Sequence, residues 1–300
     1  VFYPIVQSLS NAFGSSPGPT AGKIGKYLMQ VGYHTDAVTC MMFLTSMAGN
    51  PLCVGLAEST LGVEVTWMGW AVAAIVPGLI SLFLVPLVML KLSPPELKAM
   101  PDAHNLAVKE LENMGPMTLQ EKVLAFVFVL CLILWATGSW TKLGATPVAM
   151  LAVSIMLVFK VLDWKDILSE KGAWDAMFWM GGLVALATAL AKSGFIAWIA
   201  KIIGTAIAAA NLGWIASFIA ITLIYTYSHY CFASVTARIS AMYAAFIAVA
   251  AACGVPGLLV ALAFGFFANC PISLTHYGNG CGPVYFGAGY VSQSEWWGNG

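Results

Sequence analysis

Two hydroxyls and a guanidinium recur at every second residue in one otherwise apolar stretch of the sequence. Ser234 and Thr236 flank Val235, and Arg238 follows two residues later. Hydroxyls, together with the free backbone N–H groups at the start of a helix, donate hydrogen bonds to an anion such as a carboxylate. Taken alone, the two hydroxyls fit equally well a structural role, in which they bond to their own helix or to a neighbouring one.

Arg238 is the only arginine of the chain and the only charged side chain between Ile202 and Ser294. Placing an arginine at the centre of a membrane costs about 2.5–3.5 kcal/mol. The neighbouring sequence holds no acidic residue that could pair with it, and the alternative is that the long side chain reaches back to the membrane surface. We expect the guanidinium to point inward, towards a cavity or a partner group.

Three further ionisable side chains lie within apolar sequence. His229 and His276 each lack an Asp, Glu or Cys at the spacing of a helical metal site, and a zinc site needs several ligands. We therefore expect hydrogen-bonded structural histidines at both positions. Asp36 could bind a cation or a proton, or could lie near the membrane surface in contact with water. The sequence contains no nucleotide-binding or hydrolase motif, so it gives ATP-driven transport no support.

The elements that must position these groups are membrane helices. The chain is 60% hydrophobic and 9% charged, with a mean hydropathy of +0.85, whereas soluble domains carry about 25% charged residues. Its 13 basic residues balance 13 acidic ones, so no surface for nucleic acid is expected. Backbone groups in lipid must be paired internally, so the long apolar runs should be helices. These runs are residues 27–57, 67–90, 123–140 and 146–159, with less clearly divided apolar sequence from residue 176 onward.

Two of the apolar runs are interrupted by residues that helices in lipid tolerate poorly. Gly49, Asn50 and Pro51 arrive together in one run, and residues 269–280 combine a proline with polar residues and glycines in another. Broken helices in corresponding halves of a membrane chain indicate a transporter's binding site near the middle of the bilayer. In addition, the short apolar runs 215–224 and 239–252 predict the arms of a re-entrant hairpin, with Ser234 and Thr236 at its tip.

The ends of the runs indicate how the chain lies in the membrane. Lysines concentrate before residue 27, between residues 91 and 122, and between residues 160 and 171, and these segments are predicted to face the cytoplasm. The seven cysteines are scattered singly and are expected to be small buried side chains. Tryptophans at the ends of the runs are expected at the membrane surface, namely Trp67, Trp70, Trp140, Trp164, Trp174 and Trp179. Trp296 and Trp297 are expected at a boundary between polar and interfacial sequence.

Five stretches, residues 3–5, 42–52, 169–175, 227–230 and 274–278, resemble the divalent anion/sodium symporter family. The similarity is greatest to its bacterial citrate or tartrate carriers and its plastidic 2-oxoglutarate/malate translocators. The resemblance implies an all-α polytopic membrane protein, an inverted-repeat secondary transporter with re-entrant hairpins and broken helices. It also implies a transport domain that moves like an elevator against a scaffold, and a homodimer.

The resemblance implies that the chain is a fragment of such a carrier, and it relates each part of the chain to a part of the family's fold. Residues 1–57 correspond to the end of a first hairpin and a first broken helix, and residues 58–175 to scaffold helices and connectors. Residues 176–300 correspond to a second hairpin, at about 215–253, and a second broken helix, at about 257–294. A first Ser-Asn-Thr motif is then expected upstream of Val1, and a terminal helix beyond Gly300.

The family's Ser-Asn-Thr tip motif is matched by Ser234-Val235-Thr236, in which valine replaces the amide. The resemblance implies that this tip and the two interrupted segments bind the substrate together. The implied substrate-binding residues are Ser234, Val235, Thr236, Gly49, Asn50, Pro51, Ser273, Thr275 and His276. Sodium, the one ion implied beside the substrate, would lie near Ala48, Gly49, Ala233 and Thr275, and no other cofactor is expected.

We therefore predict exchange of di- or tricarboxylates of the succinate, malate, 2-oxoglutarate and citrate class, with Arg238 as a fixed cation in place of a coupling sodium. Sodium-coupled symport is the first alternative. An intramembrane enzyme that uses His229 or His276 with Ser234, and a channel, are alternatives of other classes. The expected location is a bacterial plasma membrane, with a plastid envelope as the alternative.

Overall fold

The computed structural model is helical and describes residues 2–98, 114–171, 213–232 and 234–300, with isolated positions between 108 and 112 and between 174 and 205. Among these residues, four helical segments are long and apolar enough to cross a membrane. The prediction of an all-α membrane protein is thereby confirmed. Ala233, Trp179 and most of the sequence between residues 172 and 212 lie outside the described residues. The four segments are Trp67–Leu92, Leu119–Ala136, Val235–Ala252 and Gly257–Leu274.

The chain divides into two compact units. The first comprises Val1–Val65, Gly69–Glu96 and Phe178–Gly300, and the second comprises Thr66–Met68 and Leu97–Met177. The helices of the first unit are α1 (Phe2–Ala12), α2 (Gly25–Met42), α3 (Gly49–Leu61), most of α4 (Trp67–Leu92), α9 (Trp214–Tyr227), α10 (Val235–Arg238), α11 (Ala244–Ala252), α12 (Gly257–Asn269), α13 (Gly282–Gly287) and α14 (Gln293–Asn299).

The second unit is built on two apolar helices that share a small core. Val127 and Cys131 on one helix are buried with Val148 and Ala152 on the other. Thr118 and Glu121 form a reciprocal capping box that satisfies free N–H groups at the start of the first helix. The helices of this unit are α5 (Leu119–Ala136), α6 (Gly138–Thr141), α7 (Ala145–Val158) and α8 (Trp164–Ser169).

Trp70 belongs to the core of the first unit, so its predicted place at the membrane surface is wrong. Its side chain is 1% exposed. Its indole N–H donates to the carbonyl of Met41 at 2.8 Å, in the last turn of α2, where carbonyls lack a partner within the helix. Gly265 makes room for the ring, because a Cβ at that position would lie 2.6 Å from Cη2 of the indole.

The predicted hairpin has arms of unequal length. The first arm, α9, has 14 residues, which is short for a membrane span. The second arm begins at Val235, earlier than the predicted residue 239, and continues through α10, a π-helical segment at Ile239–Tyr243 and α11. Its 18 residues reach spanning length, so the expectation that both arms are too short is wrong for the second.

The cysteines are free thiols, and their predicted burial holds for only part of them. Cys53 and Cys131 are buried, whereas Cys231 and Cys281 are exposed. The two exposed thiols lie in the irregular segments after α9 and before α13, whereas the two buried ones lie within helices.

Candidate functional site at two interrupted helices

The first interruption, called here the first break, consists of residues 43–48, between the end of α2 at Met42 and the start of α3 at Gly49. The buried amide of Asn50 folds back over it. Its Nδ2 donates to the carbonyls of Cys40 at 2.8 Å and Phe43 at 3.0 Å. These carbonyls lie at the end of α2, where helical partners run out, so the amide replaces the missing hydrogen bonds.

Pro51 lies within the first turn of α3 and not in the break itself. A proline is tolerated there because the N–H groups of the first turn have no partner within the helix. The predicted interruption therefore falls immediately upstream of Gly49, Asn50 and Pro51, and the proline lies in the first turn of the helix that follows it. Ser46 stabilises the interruption, since its hydroxyl lies 2.6 Å from the carbonyl of Cys40 and 2.7 Å from that of Phe43. Of the predicted residues, Ala48 is the last residue of the break and is exposed, and Gly49 is the first residue of α3 and is buried.

The second break consists of residues 270–281, between α12 and α13, and contains a 3₁₀ segment at Cys270–Leu274. Tyr33 of α2 enters it from the side. Its buried hydroxyl lies 2.9 Å from the carbonyl of Ile272, 3.1 Å from that of Thr275 and 3.2 Å from Oδ1 of Asn279. The single phenolic O–H thus has three acceptors of the second break around it.

A direct amide contact joins the two breaks. Nδ2 of Asn269 donates to Oδ1 of Asn50 at 2.8 Å, and both side chains are fully buried. Asn269 is the last residue of α12, and Asn50 is the second residue of α3. Oδ1 of Asn269 is buried without a partner among the described residues. The contact fixes the position of one interruption relative to the other.

The described residues of the hairpin tip are 228–232 and 234. Ser234 is exposed and forms the N-cap of α10, since its hydroxyl accepts a hydrogen bond from the backbone N–H of Ala237 at 3.4 Å. Val235 is buried and Thr236 is half-buried. A helix therefore starts at the tip, as the sequence predicted.

The tip packs against the second break. Nε2 of His229 lies 3.1 Å from the hydroxyl of Thr275, and both residues are fully buried. The hydroxyl of Tyr277 donates to the carbonyl of Tyr230 at 3.0 Å. A Cβ at Gly278 would overlap the imidazole of His229, so only glycine fits beside the tip. His229 is a hydrogen-bonded structural histidine, as expected, and it engages the hydroxyl of the predicted site residue Thr275.

Arg238 points inward and is fully buried, as predicted, but its partners are backbone carbonyls and not a cavity. Nη1 donates to Tyr225 at 3.0 Å, and Nη2 donates to Phe267 at 3.1 Å and Ala268 at 2.5 Å. The guanidinium carbon lies 4.8 Å from the centre of the Tyr225 ring, a cation–π distance. The charge is thus placed at the ends of α9 and α12, where partial negative charge of the helix dipoles accumulates.

The remaining predicted residues differ in what they contact. His276 is half-buried, and its Nδ1 accepts a hydrogen bond from the indole of Trp297 at 3.0 Å. Ser273 bonds to the carbonyl of Cys270 at 3.0 Å and borders a cavity of about 320 Å³ between α2, α4 and the second break. Asp36 is half-buried. Among the described residues, no group of three His, Cys, Asp or Glu side chains is placed to hold a metal ion.

Three members of this site were missed by sequence reasoning. Tyr33 stands in an unremarkable stretch of α2, and Asn269 and Trp297 lie at the edges of predicted features. Trp296, expected at a boundary between polar and interfacial sequence, is 1% exposed and packs on Tyr33 with ring centroids 4.8 Å apart. Asn269 begins the predicted interruption at residues 269–280, but its contact with Asn50 was not predicted.

The apolar helices of spanning length and the polar groups gathered at their interruptions define an integral membrane protein that crosses the bilayer more than once. The protein-family model described as "Sodium:sulfate symporter transmembrane region" matches residues 1–300 of this chain. The chain belongs to this family, which consists of transporters and not of enzymes. The resemblance inferred from the sequence is confirmed.

Relatives of this chain include bacterial and plastid proteins. It is 46% identical over 298 residues to "Putative malate transporter YflS" of Bacillus subtilis, covering 99% of this chain and 62% of that protein. It is 43% identical over 301 residues to "Dicarboxylate transporter 1, chloroplastic" of Spinacia oleracea, covering 100% of this chain and 53% of that protein. It is 36% identical over 297 residues to "Inner membrane protein YbhI" of Escherichia coli, covering 99% of this chain and 62% of that protein. The chain thus spans between about half and two thirds of these relatives.

Proposed function

We propose that this chain forms part of a carrier that exchanges di- and tricarboxylates across a membrane. The observation that carries the proposal is the meeting of three irregular segments, the hairpin tip and the two breaks, through buried polar contacts. Irregular backbone inside a membrane protein is tolerated where it lines a substrate path or is buried in protein. The names of the relatives, which mention malate and dicarboxylates, support a carboxylate as the substrate.

The proposed substrate site uses the exposed and half-buried groups at these segments. Ser234 and Thr236 at the tip offer hydroxyls beside the start of α10, and His276 offers an imidazole. Val235, Gly49, Asn50, Pro51, Ser273 and Thr275 shape the surrounding segments. Thr275 and Asn50 have their polar groups engaged by protein partners, so their proposed role is to hold the site in place.

Exchange is favoured over sodium symport by the contacts of Arg238. A sodium ion near the second break would need oxygen ligands, and the carbonyls of Phe267 and Ala268 already accept hydrogen bonds from the guanidinium. The hydroxyl of Thr275 contacts His229 as well. A fixed cation here supports a carrier that returns only when loaded with a second carboxylate. Sodium coupling near Ala48 and Gly49 remains the alternative proposal.

The architecture proposed for the complete protein is an inverted repeat with an elevator-like transport domain, in a homodimer. Two features support the repeat: each half of the chain contains an interrupted helix, and an asparagine adjoins each interruption. We propose a bacterial plasma membrane as the location, because the Bacillus subtilis relative is 46% identical to this chain and the Spinacia oleracea relative 43% identical. A plastid envelope is the alternative.

Reconstitution of the complete protein in liposomes tests the function. Uptake of labelled succinate, malate and citrate is measured with and without internal dicarboxylate, and with and without a sodium gradient. Exchange predicts uptake only into preloaded vesicles and no effect of sodium. Uptake that follows the sodium gradient in empty vesicles would establish symport instead, and uptake under no condition would favour a channel or an enzyme.

Arg238→Ala tests the role given to the buried cation. We expect exchange to fall or to become dependent on sodium, with transport normalised to the amount of folded protein recovered by gel filtration. Exchange and ion dependence that both match the unmodified protein would contradict a role of Arg238 in coupling.

A further inference from the structure

His276 has one ring nitrogen engaged and a ring that is closely packed. Its Nδ1 lies 3.0 Å from Nε1 of Trp297. The imidazole lies against Phe286 with ring centroids 4.4 Å apart, and edge-on to Tyr277 at 5.3 Å. Nε2 makes no hydrogen bond to any residue in the described part of the chain, and it is not among the buried polar atoms.

The chemistry of the indole fixes the chemistry of the imidazole. Tryptophan can only donate a hydrogen bond, so Nδ1 of His276 must be the acceptor and carries no hydrogen. In a neutral imidazole one nitrogen donates and the other accepts, which places the hydrogen on Nε2. The other tautomer and the doubly protonated ring would both set an N–H opposite the indole N–H. The contact therefore selects the tautomer and the orientation of the ring.

Trp297 is held in place by the anchoring of α14. Nζ of Lys26 forms an ion pair with Glu295 at 2.6 Å, and Nδ2 of Asn299 donates to Oε1 of Gln30 at 3.0 Å. Both contacts tie α14 to α2. The ring of Trp297 also lies 5.9 Å, between centroids, from Tyr230 of the hairpin tip. The hydrogen bond to His276 is thus made from a supported side chain.

We propose that Trp297 is a positioning residue that makes His276 a neutral hydrogen-bond donor, through Nε2, to a carboxylate oxygen of the transported anion. The inference rests on the proposed exchange of carboxylates and adds to it the way in which one carboxylate is recognised. A donor without charge binds an anion without forming an ion pair. Release of the anion on the other side is therefore easier than it would be from a fixed cation.

The size of the effect follows from the number of ring states. Without the indole, His276 can adopt two neutral tautomers and two orientations related by rotation of the ring. If these four states become equally populated, the competent fraction falls to about one quarter, and the apparent Kd rises about four-fold. Packing against Phe286 favours no nitrogen over the other, so it does not restore the selection.

The test uses the complete protein in nanodiscs, labelled with ¹⁵N-histidine and titrated with succinate. The four histidines of the chain are distinguished by assigning His276 through His276→Gln. Trp297→Phe removes the indole donor and keeps an aromatic ring. Trp140→Phe is the matched control, because Trp140 is 86% exposed and lies in the second unit. The ¹⁵N shifts of the imidazole report the tautomer independently of transport.

A double-mutant cycle separates recognition from structure. The side-chain amide nitrogen of a glutamine at position 276 takes the place of Nε2. It can donate a hydrogen bond whether residue 297 is tryptophan or phenylalanine. We expect Trp297→Phe to mix the tautomers of His276 and to raise the Kd for succinate about four-fold. In the His276→Gln background the same change should leave the Kd unaltered. Trp140→Phe should alter neither the tautomer nor the Kd.

The results that overturn the inference differ from those that overturn the proposed function. Succinate binding by the unmodified protein, together with an unchanged tautomer in Trp297→Phe, would refute the role of Trp297. A mixed tautomer with an unchanged Kd would refute the donation from Nε2 to the anion. An equal rise of the Kd in both backgrounds would show a general structural role for Trp297. Absence of carboxylate binding by the unmodified protein would overturn the inference and the carboxylate function together.

Discussion

Replacement of Arg238 by methionine should destabilise the first unit, because the backbone carbonyls that accept hydrogen bonds from the guanidinium remain buried and lose this donor. Methionine keeps much of the apolar stem and removes the charge with all of its donors. The carbonyl of Tyr225 keeps a second partner, the hydroxyl of Ser228 at 2.6 Å. Those of Phe267 and Ala268 each lose the guanidinium. A buried acceptor left without a donor costs about 1–3 kcal/mol, so two of them cost about 2–6 kcal/mol.

An opposing contribution comes from the charge itself. Burying a cation costs several kcal/mol of solvation free energy, and methionine removes that cost. Since removing one partner of a buried charged contact is usually unfavourable on balance, we expect a net loss of about 3 kcal/mol. Arg238→Lys keeps the charge but cannot reach both carbonyl groups at once, so it should lose about half as much.

The measurement is equilibrium unfolding of the complete protein in detergent, followed by tryptophan fluorescence. The exposed Lys165→Met serves as the control for loss of one positive charge. We expect the order of stability to be unmodified protein, Arg238→Lys, then Arg238→Met, with the control unchanged. An Arg238→Met protein as stable as the unmodified one would refute this reasoning. It would mean that the guanidinium is kept there for transport at a cost to the fold.

Three further outcomes are expected. Gly278→Ala should destabilise by about 1–3 kcal/mol, because its Cβ would overlap the imidazole of the hairpin tip, whereas Gly280→Ala, with open space around it, should stay within about 0.5 kcal/mol. Asn50→Ala and Asn269→Ala should be coupled by about 1 kcal/mol in a double-mutant unfolding cycle, and purely additive losses would contradict a direct amide contact. Hydrogen bonds from the lysine of α2 and from the cap of α14 hold the pKa of Glu295 below its ordinary value of 4.5. The stability that this carboxylate adds is present above pH 4.5 and is lost as the pH falls through its lowered pKa, so Glu295→Gln should weaken the acid dependence of the unfolding midpoint.

The long helices and the places where they stop could be predicted from the sequence. Composition requires lipid as the solvent, and lipid requires helices, so apolar runs translate directly into elements. The clusters of glycine, proline and amide residues correctly indicated both breaks. The exact bounds of the first break could not be predicted, because a proline in the first turn of a helix and a proline in mid-helix look alike until the start of the helix is known.

Contacts between distant residues could not be predicted, because they depend on packing that periodicity does not specify. Trp70 is such a case, since its burial requires Gly265 on another helix. Tyr33 is another, because a tyrosine in an apolar helix gives no indication that its hydroxyl enters a break more than two hundred residues later. Arg238 was predicted to point inward, but its partners could not be predicted, because they are backbone carbonyls and every residue has one.

The contacts between the hairpin tip and the two breaks bear on how a carrier of this kind could move. Tyr33 and the amide pair join the two interrupted helices, and His229 joins the tip to the second break. Each contact is buried, so breaking one would leave a polar group unpaired at about 1–3 kcal/mol. A motion that separated these segments would have to break several of them at once. Displacement of the tip and both breaks as one body breaks none, so the local chemistry favours the proposed elevator-like motion over rearrangement within the site.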